Sequence, residues 1–114
     1  TLSSSSAASD VYKRQDQYTL IDVRSTLEWF KGHLPNAVHI SWEKFYQGPE
    51  RKPLSREQLQ KLLADHGVDP NKPAVYCCTG GIRSGYAWMV HELSGLGPAI
   101  NFEGGTEAWD KLRP

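Results

Sequence analysis

Eight consecutive residues combine a nucleophile with the means to hold an anion: Cys77-Cys78-Thr79-Gly80-Gly81-Ile82-Arg83-Ser84. A thiol reacts as its thiolate, and ionisation is favoured where backbone amides, a helix N-terminus and a cation converge. Paired glycines let the chain curl so that successive N–H groups point inward. A helix starting directly after them adds partial positive charge at the same place, and Arg83 closes the loop with a full charge. The pattern predicts nucleophilic chemistry at a sulfur atom, with an anionic partner held by Thr79, Gly80, Gly81, Ile82 and Ser84.

The two cysteines are adjacent, so a disulfide between them would be strained and would close almost no loop. Scattered histidines (His33, His39, His66, His91) and one cysteine pair do not make the spacing of a structural zinc site, and no metal is expected. Cys77 ends an apolar run and reads as a small core residue. Cys78, first in the glycine loop, reads as the reagent.

The elements that must place this loop follow from apolar runs alternating with helical segments. Tyr18 to Val23 is a buried strand by its length and β-branched content, Val38 to Ile40 a second, Ala74 to Cys77 a third and Ala99 to Phe102 a fourth. Thr26 to Lys31 is a short helix with Trp29 and Phe30 on its apolar side, stopped by Gly32. Ser55 and Gln58 have capping-box spacing ahead of a helix from Arg56 to His66, with Leu59, Leu62 and Leu63 as its stripe and Gly67 at its end. Arg83 to Leu93 carries Tyr86, Met89, Val90 and Leu93 at helical spacing, and Thr106 to Leu112 is a last helix after the Gly104-Gly105 turn. Gln47 to Pro53 reads as an exposed loop. Strands separated by helices predict an α/β fold, a central parallel sheet with helices on both faces. In such sheets ligands bind beyond the carboxyl ends of the strands, where Cys78 would lie.

Composition narrows the function. Thirteen Lys plus Arg balance thirteen Asp plus Glu over 114 residues, which argues against nucleic-acid or membrane-surface partners, since both require a basic excess. No apolar stretch approaches the length of a membrane-spanning helix. Thr1 to Ser9 is serine-rich, without the charged start and apolar core of a signal peptide. Asp10 to Gln15 (DVYKRQ) resembles a translated sequencing-library adapter. Residues 1–16 are therefore expected to be a disordered lead-in, with one domain over 17–114.

Three blocks together, LIDVRSTLEWFKGHLPNAVHI (Leu20 to Ile40), CTGGIRS (Cys78 to Ser84) and FEGGTEAW (Phe102 to Trp109), resemble the rhodanese family of sulfurtransferases in order and spacing. The resemblance implies a rhodanese-like three-layer α/β sandwich and a six-residue active loop from a catalytic cysteine, Cys78, to Arg83. It implies a sulfane sulfur moved from a small anionic donor such as thiosulfate to a thiol, a small redox protein or cyanide. Cys78 would carry the sulfur as a persulfide, without metal or organic cofactor. The segment from Leu54 to Cys77 resembles the catalytic half of tandem sulfurtransferases.

One departure leaves an alternative open. Family members show one cysteine after the strand tyrosine, whereas Tyr76 is followed by two. Counting from Cys77 gives the C-x5-R cradle of rhodanese-fold cysteine phosphatases and arsenate reductases, although Tyr76 stands where the phosphatase histidine would be. A third reading is a catalytically silent rhodanese-like module that binds a partner.

The remaining polar residues have structural expectations. Asp22 and Arg24, at the end of the first strand, read as an ion pair supporting the site. Glu28 and His33 resemble family positions that fix the GHLPNA loop, and Asn36 supports its turn. Ser84 is expected to cap the helix. Trp42, Trp88 and Trp109 read as core, and His66 and His91 as helix-end residues without chemistry.

Overall fold

The computed structural model describes residues 17–34, 36–79 and 81–102. The lead-in expected over 1–16, the helix expected over 106–112, and Trp109, Gly80 and Pro35 lie outside the described residues.

Four parallel strands form the central sheet in the order β2-β1-β5-β6: β1 (Thr19–Asp22), β2 (Val38–His39), β5 (Ala74–Cys77) and β6 (Ala99–Phe102). β5 is central, with Asp22 of β1 on one side of Cys77 and Phe102 of β6 on the other. Strand alternation divides its residues between two apolar layers. Tyr76 and Cys78 join Ile21, Val23, Phe45, Leu59, Ala87 and Val90 on one face. Val75 and Cys77 join Leu20, Leu34 and Phe102 on the other. Burial on both faces explains why these strands read as continuous apolar runs.

Three helices are described: α1 (Thr26–Lys31), α2 (Arg56–Asp65) and α3 (Ile82–Ser94). Capping boxes start the first two, with Ser25 paired to Glu28 and Ser55 to Gln58. Leu59 and Leu63 bury α2 against the sheet. Between β2 and α2 the chain makes a 3-10 turn over Trp42–Phe45 and a short antiparallel ribbon, β3 (Tyr46–Gln47) with β4 (Lys52–Pro53). The expected loop from Gln47 to Pro53 is therefore partly paired. Its strands are two residues long, too short to leave a periodic signal.

Two apolar expectations are corrected. Phe30 is 78% exposed, and α1 buries none of its side chains. On α3 the buried face is Ser84, Ala87, Val90 and His91, while Met89 and Leu93 are exposed. Ser84 and His91 share that face with Ala87 and Val90, so hydrophobicity alone selects a neighbouring stripe.

The chain runs from β1 outward to β2 on one side and returns through α2 to β5 on the other. That reversal puts a switch point between β1 and β5, where an open parallel sheet offers a crevice at its carboxyl edge. Both α1, following β1, and α3, following β5, begin at this edge.

Candidate active site

Cys78 leaves β5 at the carboxyl edge, and the start of α3 closes over its sulfur. The Gly81 amide donates to Cys78 Sγ at 3.0 Å and the Ser84 amide at 3.5 Å. Gly81 precedes the helix with φ +99°, a left-handed conformation in which a side chain would be strained. That conformation aims its N–H at the sulfur. Burial opposes ionisation of Cys78, which is 1% exposed. The Ser84 hydroxyl, once turned to donate to the anion, and the amides of Ser84, Gly81 and Arg83 outweigh burial and hold the thiol below its ordinary value.

Cys77 has the opposite environment. Its side chain points into the other layer, among Leu20, Leu34, Val75 and Phe102, and is fully buried. Burial, and next the neighbouring Asp22 carboxylate, push its thiol well up. The loop amides thus surround the second of the two sulfurs, and a cradle counted from Cys77 is not centred on the Cys77 thiol.

Arg83 is not a free charge at the loop's end. Its guanidinium donates to both oxygens of Glu28, at 2.7 and 3.0 Å. That bond, against a smaller cost of burial, holds the Glu28 carboxyl at about 2. Thr79 Oγ1 also donates to Glu28, at 3.3 Å. Glu28 therefore serves its own helix cap and the loop together. The sequence offers Glu28 as a residue that fixes the GHLPNA loop; its carboxylate instead accepts from Ser25, Thr79 and Arg83.

The other expected residues fall as follows. Asp22 and Arg24 form a buried pair, with Arg24 Nη2 donating to Asp22 at 2.7 Å and to the Gly32 carbonyl at 2.6 Å. They tie β1 to the segment after α1. Ile82 stands at the rim, 87% exposed. Ser84 does not cap α3, whose N-cap is Gly81 without a side-chain bond; its hydroxyl instead donates to Asn101 Oδ1 at 2.6 Å. Asn101, from β6, was not singled out by sequence, although a polar residue inside the apolar run Ala99–Phe102 is a usable signal. His33 bonds the Trp29 carbonyl through its ring and stacks on the Trp29 indole. Asn36 takes the left-handed turn conformation at φ +62°. His91 is not a solvated helix-end residue but is buried, with its Nδ1 2.7 Å from the Tyr76 hydroxyl.

A family model for the rhodanese-like domain matches residues 7–112. The chain belongs to the rhodanese-like family. Among curated rhodanese relatives, it is 37% identical over 82 residues to a Mycobacterium leprae protein named "Putative thiosulfate sulfurtransferase", covering 71% of this chain and 29% of that one. A Haloferax volcanii protein of the same name is 31% identical over 120 residues, covering 90% of this chain and 42% of the relative. The chain thus spans less than half the length of these relatives. Solved structures share the rhodanese fold. Tum1 of Saccharomyces cerevisiae superposes with a TM-score of 0.79 at 20% identity, over 99% of this chain and 44% of that one. The anaerobic ergothioneine biosynthesis enzyme of Chlorobium limicola gives 0.79 at 20% identity, over 93% and 29%.

Among the described residues, no cluster of His, Cys, Asp and Glu could hold a metal ion, and no helix is long and apolar enough to cross a membrane.

Proposed function

We propose that this rhodanese-like chain is a sulfurtransferase domain with Cys78 as its nucleophile. The Cys78 thiolate attacks the outer sulfur of a small anionic donor such as thiosulfate. As the new S–S bond forms, the donor's S–S bond breaks and sulfite leaves with the electron pair. An acceptor thiolate then attacks the outer sulfur of the persulfide, and Cys78 departs as thiolate. The chemistry calls for neither metal nor organic cofactor.

The observation that carries this reading is the direct bond from the Gly81 amide to Cys78 Sγ, 3.0 Å long, at the start of α3. Amides that stabilise the thiolate stand where they can also receive the charge of an anionic donor and of the persulfide's outer sulfur. Because Arg83 is paired with Glu28, holding the anion falls mainly to backbone N–H groups, with Thr79 and Ser84 beside them and Ile82 at the rim. Asp22 and Arg24 support the edge from β1.

The test is intact-mass measurement after incubation with thiosulfate. A one-sulfur adduct is expected on the wild type and on Cys77→Ser, and none on Cys78→Ser. Loss of the adduct in Cys77→Ser alone would move the nucleophile. No adduct together with phosphate-ester or arsenate turnover would replace sulfur transfer by the phosphatase or arsenate-reductase reading, and partner binding without any reaction would leave a silent module.

A further inference from the structure

Behind Cys78 four groups close a ring of hydrogen bonds. The thiol donates to Ser84 Oγ at 3.5 Å, the Ser84 hydroxyl donates to Asn101 Oδ1 at 2.6 Å, and Asn101 Nδ2 donates to the Gly81 carbonyl at 3.4 Å. Gly81 returns the chain to the sulfur through its own amide. Ser84 and Asn101 are both buried. A Cβ on Gly85 would stand 3.3 Å from Asn101 Nδ2, so the glycine on α3 leaves room for this amide.

A serine hydroxyl has one proton, and here it has two claimants. We propose that Asn101 is a positioning residue that holds the Ser84 proton away from Cys78 in the resting thiol and yields it when Cys78 ionises. In the resting state the proton lies on the short bond to Asn101, and Ser84 presents a lone pair that accepts the S–H. When the thiol loses its proton to water, that lone pair faces an anion. The hydroxyl must then rotate to donate to sulfur, leaving Asn101 Oδ1 without its partner. Asn101 thereby sets a cost on the thiolate, opposing the loop amides.

The balance suits the proposed reaction. A thiolate that is stabilised too far is a poorer nucleophile, and attack is fastest when the thiol titrates near ambient pH. In the persulfide the inner sulfur is neutral, so the hydroxyl returns to Asn101. It turns back to sulfur when the acceptor removes the outer atom and Cys78 leaves as an anion.

The other groups around Cys78 are fixed in charge or remote. β1 brings Asp22, paired with Arg24; α1 brings Glu28, paired with Arg83 of α3; β5 brings Cys77, on the opposite layer; and β6 brings Asn101 with no titratable side chain in its run.

This inference takes its meaning in turnover from the sulfurtransferase reading, but its test needs no sulfur donor. The rate of iodoacetamide alkylation at Cys78, localised by peptide fragmentation, is followed against pH. Asn101→Ala frees the hydroxyl for sulfur and is expected to lower the midpoint by about one pH unit, giving about tenfold more thiolate below the midpoint. Asn101→Asp holds the hydroxyl more firmly and is expected to raise it. In a Ser84→Ala background the effect of Asn101→Ala should vanish. An unmoved or raised midpoint in Asn101→Ala, or an equal shift without Ser84, would overturn the proposal. Should circular dichroism show Asn101→Ala unfolded, Asn101→Asp decides: it must raise the midpoint, and by less without Ser84. Failure of the wild type to transfer sulfur would strike the function and leave these shifts readable.

Discussion

The Arg83 guanidinium and the Glu28 carboxylate meet at 2.7 and 3.0 Å across 55 residues of chain, joining the first turn of α1 to the first turn of α3. Since both helices start at the carboxyl edge of the sheet, this pair fixes the distance between the two segments that frame Cys78.

The pair makes acid stability depend on Glu28. Its carboxyl sits at about 2 in the fold against an ordinary 4.5, so its contribution is complete above roughly pH 4.5 and is lost as pH falls toward 2. The two side chains remain 29% and 35% exposed, and solvent screening limits the contribution to about 1 kcal/mol. Unfolding free energies of wild type and Glu28→Gln from urea titrations should differ by that amount at neutral pH and converge toward pH 2. A difference independent of pH would contradict the pairing.

The neighbouring thiols should titrate apart. Cys78 is held below the ordinary 9.0 and Cys77 well above it. Alkylation at pH 8 should therefore label Cys78 first, with a midpoint below 9, while Cys77 reacts only on unfolding. Comparable labelling of both in the folded protein would refute this difference.

Asp22 is fully buried and Arg24 nearly so. Removing one member of such a pair leaves an uncompensated charge and costs about 3–5 kcal/mol. Arg24→Met should lose that much in urea unfolding, and a loss below about 1 kcal/mol would show that the pair does not hold β1 to the Gly32 carbonyl.

His91 should oppose acid in its own range. Burial keeps its imidazole below the ordinary 6.5. The unfolded chain therefore binds the proton first, and stability drops as pH falls from about 6.5 toward the lower folded value. Tyr76→Phe removes the hydroxyl beside Nδ1 and should cost about 1–3 kcal/mol at neutral pH, measured by thermal unfolding. A neutral effect would mean that the buried ring does not need that partner.

Much of the architecture is legible locally. Ser55 announces α2 because its hydroxyl and the Gln58 amide three residues later satisfy free amides at the start. Ala74–Cys77 stands out because a strand buried on both faces reads as an apolar run, and Ala99–Phe102 is apolar except at Asn101. The cysteine loop is legible for the same reason, since its parts are contiguous. What escaped depends on approach in space. Glu28 acts on Arg83 from another helix, Asn101 acts on Ser84 from β6, and His91 is buried on the face of α3 that meets Tyr76 of β5.

Strand alternation sends the two adjacent sulfurs into opposite layers, so neither can reach round to repair the other. Within these 114 residues a sulfenic acid formed on Cys78 has no resolving cysteine. Its reduction must come from a thiol beyond these residues before further oxidation makes the damage permanent.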